Sequence, residues 1–205
     1  MPTDWSNLAS SELELAARMK AYRPSPDDHL LDALIKQDRK AQWQLFRNLQ
    51  RKMLALCRRY LKDDFQAENC MMQGFAKVFE SASSFRNEGS LEGWVKKIMV
   101  RQCLMELRKN RQFRMEDLRV YEDDFSVDLQ EPLDYSILLE FVRKLPDGCR
   151  AVFNLFALEG YSHPEIARML EISEGTSRSQ LAAARFHLKK MLQQAGIYHA
   201  NYFSV

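Results

Sequence analysis

Residues 160–192 read GYSHPEIARMLEISEGTSRSQLAAARFHLKKML, and this stretch decides the fold. Ser162 with Glu165 three positions on is a capping box, and Pro164 falls in the opening turn, where a missing N–H costs nothing. The spacing predicts a helix from about Ser162 that carries Ile166, Ala167 and Leu170 on one face. It must stop before Ser173, a second N-cap, which leaves Glu171 and Ile172 for the turn. A second helix then buries Leu181, Ala184, Leu188 and Leu192, spaced as i, i+3, i+7 and i+11. Two helices joined by so short a turn, the second longer and more basic, form a helix-turn-helix pattern.

From Thr176 to Leu192 the charged residues are Arg178, Arg185, Lys189 and Lys190, with no acid, which suits a phosphate backbone. Ser177, Arg178, Ser179, Gln180 and Ala182 lie off the stripe just named and are read as reaching base edges in a major groove. Gly175 lets the backbone of the first turn approach a phosphate. The plainer reading of the same spacing is a helical hairpin with a solvated basic face.

Working outward, the net charge of +2 says little, but its distribution is informative. Between Trp94 and Arg114 stand seven basic residues and one acid, Glu106; between Met115 and Tyr135 stand eight acids against Arg119. The reversal marks segments with different partners. Cys57, Cys70, Cys103 and Cys149 form no C-x-x-C pair and lie near no clustered histidines, which argues against a zinc site or a disulfide framework and for buried thiols in a reduced, cytoplasmic setting. No apolar run approaches the length of a membrane span, and no basic-then-apolar signal pattern opens the chain, so no membrane insertion is expected.

Ahead of the rear lobe the chain reads as helix after helix. Residues 1–26 form an N-terminal extension with a weak helical stretch, either a docking segment or disordered. Residues 27–113 make a front lobe. Its core candidates are Leu30, Leu31, Leu34, Ile35, Trp43, Phe46, Leu49, Leu56, Tyr60, Phe65, Phe75, Ala76 and Phe79, with Gly74 a weak point. After a break containing Phe85 to Gly89, a helix capped by Ser90 carries Leu91, Trp94, Val95, Ile98 and Met105 on its apolar face and Lys97, Arg101 and Arg108 on another. Residues 114–133 are too acidic to form a core and read as a linker. In the rear lobe, 134–193, helices over Tyr135 to Leu145 and Arg150 to Glu159 brace the helix-turn-helix, with Val152, Phe153, Phe156 and Ala157 inward and His163 facing solvent; a tail, 194–205, follows. With no period-two strand and no glycine-rich phosphate loop, the fold class is all-α, two helical domains joined by an acidic linker. Clustered catalytic carboxylates and His/Cys metal constellations are absent from the pattern, so neither an enzyme nor a cofactor is expected.

The rear lobe contains Leu145, Pro146, Arg150 and Phe153, then Gly160, Tyr161, Ser162, Glu165, Ile166 and Ala167, then Ser173, Gly175, Thr176 and Ser179. In that order these resemble the fourth region of a bacterial RNA polymerase sigma factor of the extracytoplasmic-function group, which has only regions 2 and 4. In the front lobe, Gln66 to Phe75 is similar to the family's acidic helix with two of the usual acids missing, and Phe85-Arg86-Asn87-Glu88-Gly89-Ser90-Leu91-Glu92-Gly93-Trp94 resembles its F-R-x-x-x-S-F-x-x-W segment.

The resemblance implies partners and roles. Core RNA polymerase would be met by Glu68, Met72 and Gln73, leaning on apolar area where acids are missing. The minus-10 promoter element would be met by Phe85, Arg86, Asn87, Ser90, Trp94, Lys97, Arg101 and Arg108, with Trp94 either a stacking platform or a core residue. The minus-35 element would be met by Ser177, Arg178, Ser179, Gln180, Ala182, Arg185 and Lys189. Gln180, Ala182 and Ala183 depart from the family's pattern, which implies weaker minus-35 binding or a different preferred sequence. The acidic linker is either a spacer or a mimic of nucleic acid inside the polymerase. An anti-sigma factor is a usual further partner. The competing function is a helix-turn-helix transcriptional regulator that does not associate with core polymerase.

Overall fold

The computed structural model describes residues 26–86, 88–109 and 135–196. The N-terminal extension, the acidic linker, Asn87 and all but the start of the C-terminal tail lie outside the described residues. Eight α-helices are described: α1 (Pro26–Ile35), α2 (Arg39–Tyr60), α3 (Asp64–Glu80), α4 (Leu91–Lys109), α5 (Tyr135–Lys144), α6 (Asp147–Phe153), α7 (His163–Leu170) and α8 (Glu174–Gln194). A single 3-10 turn, Ala82–Ser84, follows α3, and a π-helical turn, Asn154–Leu158, prolongs α6. No strand occurs among the described residues.

Local chemistry sets the helix starts. Asp38 accepts from the Lys40 and Ala41 N–H groups at 2.7 and 2.9 Å, and these bonds to the ionised form hold its carboxyl below the usual range. Asp63 accepts from Gln66 N at 2.7 Å to start α3, and Ser90 Oγ accepts from Gly93 N at 3.0 Å to start α4. Helices α2, α3 and α4 pack together around Leu45, Leu49, Met53, Leu56, Phe75, Val78, Val95 and Met99. Gly74 is buried and faces α4, where a Cβ would press on the Met99 thioether. The glycine sits inside an unbroken α3.

Six expected core residues face solvent: Ile35 (43% exposed), Trp43 (60%), Phe65 (73%), Met105 (51%), Ala76 and Ala157. Ile35 is the last residue of α1, and each of the others lies two positions from buried neighbours: Ala41 and Leu45, Ala67, Cys103 and Leu107, Gly74 and Val78, and Leu155. Two residues at about 100° each put the side chain on the opposite side of the helix, so hydrophobicity loses to register. The cysteines give the opposite surprise. Although separated by 13 and 33 positions, Cys57 on α2, Cys70 on α3 and Cys103 on α4 converge, with their sulfurs all within 4.8 Å of one another.

The two lobes are not held apart. Ala151, Val152 and Leu155 from the rear lobe join the same buried cluster as the front-lobe helices, together with Ile166, Leu170 and Leu181. A second small core, Val142, Leu145, Cys149, Ala183, Ala184 and Leu188, braces α5 and α6 on α8. Across the seam, Arg150 is 1% exposed and donates from Nε to Tyr60 O at 3.0 Å, from Nη1 to Leu145 O at 2.9 Å and from Nη2 to Asp147 Oδ1 at 2.8 Å. Replacing Arg150 by Ala orphans these acceptors, and should cost about 3 kcal/mol in denaturant unfolding monitored by helical circular dichroism. An unchanged midpoint would show that the buried guanidinium is not a structural tie.

Candidate nucleic-acid interface

Helix α7 starts as its sequence dictates: the Ser162 N–H and O–H both donate to Glu165 Oε2, at 2.8 and 2.6 Å, and the Ser162 hydroxyl, then its N–H, hold that carboxyl below the usual range. It ends at Glu171, which takes the left-handed conformation at φ 58, while the Ile172 N–H bonds back to Ala167 O at 3.0 Å. Ser173 Oγ accepts from Thr176 N at 2.9 Å and opens α8. The turn therefore has the two residues, Glu171 and Ile172, that the spacing predicts.

On α8, Arg178, Ala182, Arg185 and Lys189 stand at i, i+4, i+7 and i+11 on one face, Arg178 exposed and the other three half-buried. Arg178 pairs with Glu174 at 3.4 Å, and Arg185 lies over the Phe156 ring at 6.0 Å. Ser179 is half-buried and donates to Thr176 O at 3.0 Å. Two residues assigned to base reading are corrected. Ser177 and Gln180 are both fully buried, Ser177 at 2.9 Å from His163 Nδ1 and Gln180 accepting from Cys149 Sγ at 3.2 Å. They continue the buried stripe one turn back from Leu181 and Ala184, and as polar residues they are tolerated there because internal partners satisfy them. His163 is likewise corrected: it is half-buried, stacked on Phe156 at 4.7 Å. Burial, then the charges of Arg178 and Arg185, push its pKa down, so the neutral ring is the form that supports this helix pair.

The second cationic face belongs to α4. Lys97, Arg101 and Arg108 are exposed, and Trp94, half-buried, lines up with them while packing on Phe85 at 5.4 Å. Phe85 is itself half-buried and Arg86 and Ser90 are exposed at the helix mouth, Ser90 being engaged as the cap; Asn87 lies outside the described residues. Arg108 is already committed: Nη1 pairs with Glu171 at 2.9 Å and Nη2 donates to Met169 O at 2.5 Å. The turn of the helix-turn-helix thus sits against the end of the α4 cationic face.

On α3, Glu68, Met72 and Gln73 are exposed, and Gln73 accepts from Gln102 at 2.7 Å. Phe65 and Met72, 73% and 54% exposed, give this surface an apolar character, and Phe65 was missed as a surface residue because its size suggested core. The signal was its register, two positions before the buried Ala67.

The sequence matches two family models, Sigma-70 region 2 over residues 45–113 and Sigma-70, region 4 over residues 135–188. The ECF RNA polymerase sigma factor SigM of Mycobacterium tuberculosis is 31% identical over 168 residues, covering 81% of this chain and 84% of that protein. The RNA polymerase sigma-H factor of Pseudomonas aeruginosa is 25% identical over 181 residues, covering 82% and 94%. Among solved structures, the sigma factor RpoE of Bartonella quintana, in complex with the anti-sigma factor NepR, aligns at 19% identity with a TM-score of 0.48, covering 73% of this chain and 95% of that chain.

The seam between the two cationic faces centres on Glu159, whose side chain is 3% exposed and pairs with Arg59 at 2.7 Å and Lys96 at 2.6 Å. Replacing Glu159 by Ala leaves the largely buried Arg59 without this carboxylate, and should destabilise the closed arrangement by about 2–3 kcal/mol. Amide exchange at the end of α2 and in α7 should then rise while exchange within α3 holds. A uniform rise across both lobes would mean that the pair supports the global fold instead.

Proposed function

The chain belongs to the extracytoplasmic-function group of RNA polymerase sigma factors, and from that premise we propose how its surfaces divide the work of an alternative sigma factor. One observation carries the proposal: a single chain displays two cationic helix faces on different lobes, Lys97, Arg101 and Arg108 on α4 and Arg178, Arg185 and Lys189 on α8. The protein binds core polymerase, recognises promoter DNA and initiates transcription. The α8 face reads the minus-35 element, with Arg178 at a base edge and Arg185 and Lys189 on phosphates; Ala182 contributes the shape of that face. The α4 face, with Trp94, Phe85, Arg86 and Ser90 at its mouth, takes the minus-10 strand as it melts, the aromatic pair offsetting lost stacking, and Asn87 is assigned to the same element on its sequence position alone.

Core polymerase docks on α3 through Phe65, Glu68, Met72 and Gln73. Exposed aromatic and methionine side chains supply there the apolar area that a more acidic helix would replace with charge. The domain limits follow: 27–113 for the polymerase and minus-10 lobe, 114–133 for the acidic linker and 134–193 for the minus-35 lobe. The protein acts without a catalytic site of its own and works in the cytoplasm with the polymerase, with an anti-sigma factor as a further partner. A regulator working without polymerase is not favoured, because it would leave the region 2 match over 45–113 and the apolar α3 face without a role.

Because Arg108 is held by Glu171 and Met169 O, full engagement of the α4 face requires the turn of the rear lobe to move off it. Two substitutions separate the surfaces. Arg178→Ala should lower run-off transcription from a cognate promoter about 5- to 150-fold, equivalent to losing about 1–3 kcal/mol at one base, while co-purification with core polymerase is unchanged. Equal loss of both would sink the assignment of α8 to DNA. Phe65→Ser with Met72→Ser should weaken polymerase association about tenfold or more at an unaltered melting temperature. If association survives, α3 is not the docking face.

A further inference from the structure

Nothing in the promoter reading uses the three buried thiols of the front lobe. Cys57, Cys70 and Cys103 come from three different helices, are 0, 2 and 0% exposed, and point to one spot. Cys70 Sγ and Cys103 Sγ are 3.6 Å apart, and all three sulfurs lie within 4.8 Å of one another. A soft ion held by thiolates sits about 2.3 Å from each sulfur, which in a flat three-sulfur arrangement spaces the sulfurs about 4 Å apart. The closest pair is already inside that spacing and the widest needs less than about 1 Å of closure.

We propose that Cys57, Cys70 and Cys103 form a three-coordinate, all-sulfur site for one monovalent copper ion. The donor set selects the metal. Thiolates favour soft ions such as Cu(I) and Zn²⁺, but zinc takes four ligands, and no fourth His, Asp, Glu or Cys joins the group among the described residues. The depth of the cluster also disfavours an open position filled by solvent. Cu(I) accepts three sulfurs and needs no fourth ligand.

One Cu⁺ enters as the coordinating thiols give up their protons to solvent, each S–H bond being replaced by an S–Cu bond. No electron is transferred. The fourth cysteine, Cys149, lies apart in the small rear core beside Gln180 and serves as an internal control.

The test uses the full chain, reduced and kept anaerobic, titrated with Cu(I) presented as the complex of a coloured bidentate chelator. One equivalent of copper should leave the chelator, with near-ultraviolet thiolate-to-copper absorption appearing at the same endpoint. X-ray absorption at the copper edge should find three sulfur neighbours at about 2.3 Å. Cys149→Ser should retain one equivalent; Cys70→Ala should lose it with its helical spectrum intact. Should the core not tolerate Cys70→Ala, the sulfur count on the unaltered chain decides. Failure to withdraw copper, a first shell with fewer than three sulfurs or with nitrogen or oxygen, or equal loss in Cys149→Ser would overturn the site. So would one equivalent of Zn²⁺ or tetrahedral Co²⁺ binding in place of copper. If mild peroxide instead gives a Cys70–Cys103 disulfide, seen as a loss of two hydrogens by mass, while copper is ignored, the cluster is a redox pair and the proposal fails.

Discussion

A helix that stops leaves its last carbonyls needing donors, and the end of α2 stops where water has little access. Only part of that need is met within the front lobe, by the Leu61 N–H on Cys57 O. The rear lobe supplies two more donors, Asn154 to Arg59 O at 2.8 Å and Arg150 to Tyr60 O at 3.0 Å, and just past the helix Arg143 donates to Lys62 O at 3.0 Å. The C-terminal half of the protein thereby acts as the C-cap of a helix in the N-terminal half. The negative end of the α2 dipole faces two guanidinium groups, which adds to the attraction. The shared apolar cluster and the buried Glu159 pairs follow from this docking.

The same docking occupies part of a basic face. Arg108 and Lys96, both on the strongly basic helix α4, are partnered by Glu171 and Glu159 of the rear lobe. The seam is not fully satisfied: among the described residues the buried Tyr60 hydroxyl and Asn154 Oδ1 find no hydrogen-bond partner. An interface with that defect, closed partly by exposed ion pairs, is easier to part than a second apolar core.

Most of the scaffold was legible in the chain. Capping residues announced the starts of α4, α7 and α8, and the two-residue turn was set by Ser173 following so soon after Leu170. What misled was reading residue type ahead of register. Trp43, Phe65 and Met105 looked like core because they are large and apolar; Ser177 and Gln180 looked like surface because they are polar. Their positions relative to buried neighbours had the answer in every case. His163 and Cys149, the residues that make Ser177 and Gln180 tolerable inside, sit 14 and 31 positions away, and no local pattern couples them.

The sequence by itself determined the helical class, the helix-turn-helix, the two basic faces and the acidic segment between them, because caps, period and charge act over a few residues. Tertiary structure alone decided that the two lobes share a core, that Arg108 is withheld by the turn of α7 and α8, and that three cysteines meet at one point. Those facts depend on which helix ends lack hydrogen-bond donors and which faces must be covered. Such needs are settled only when segments up to about a hundred positions apart are packed together, as Arg59 and Glu159 are.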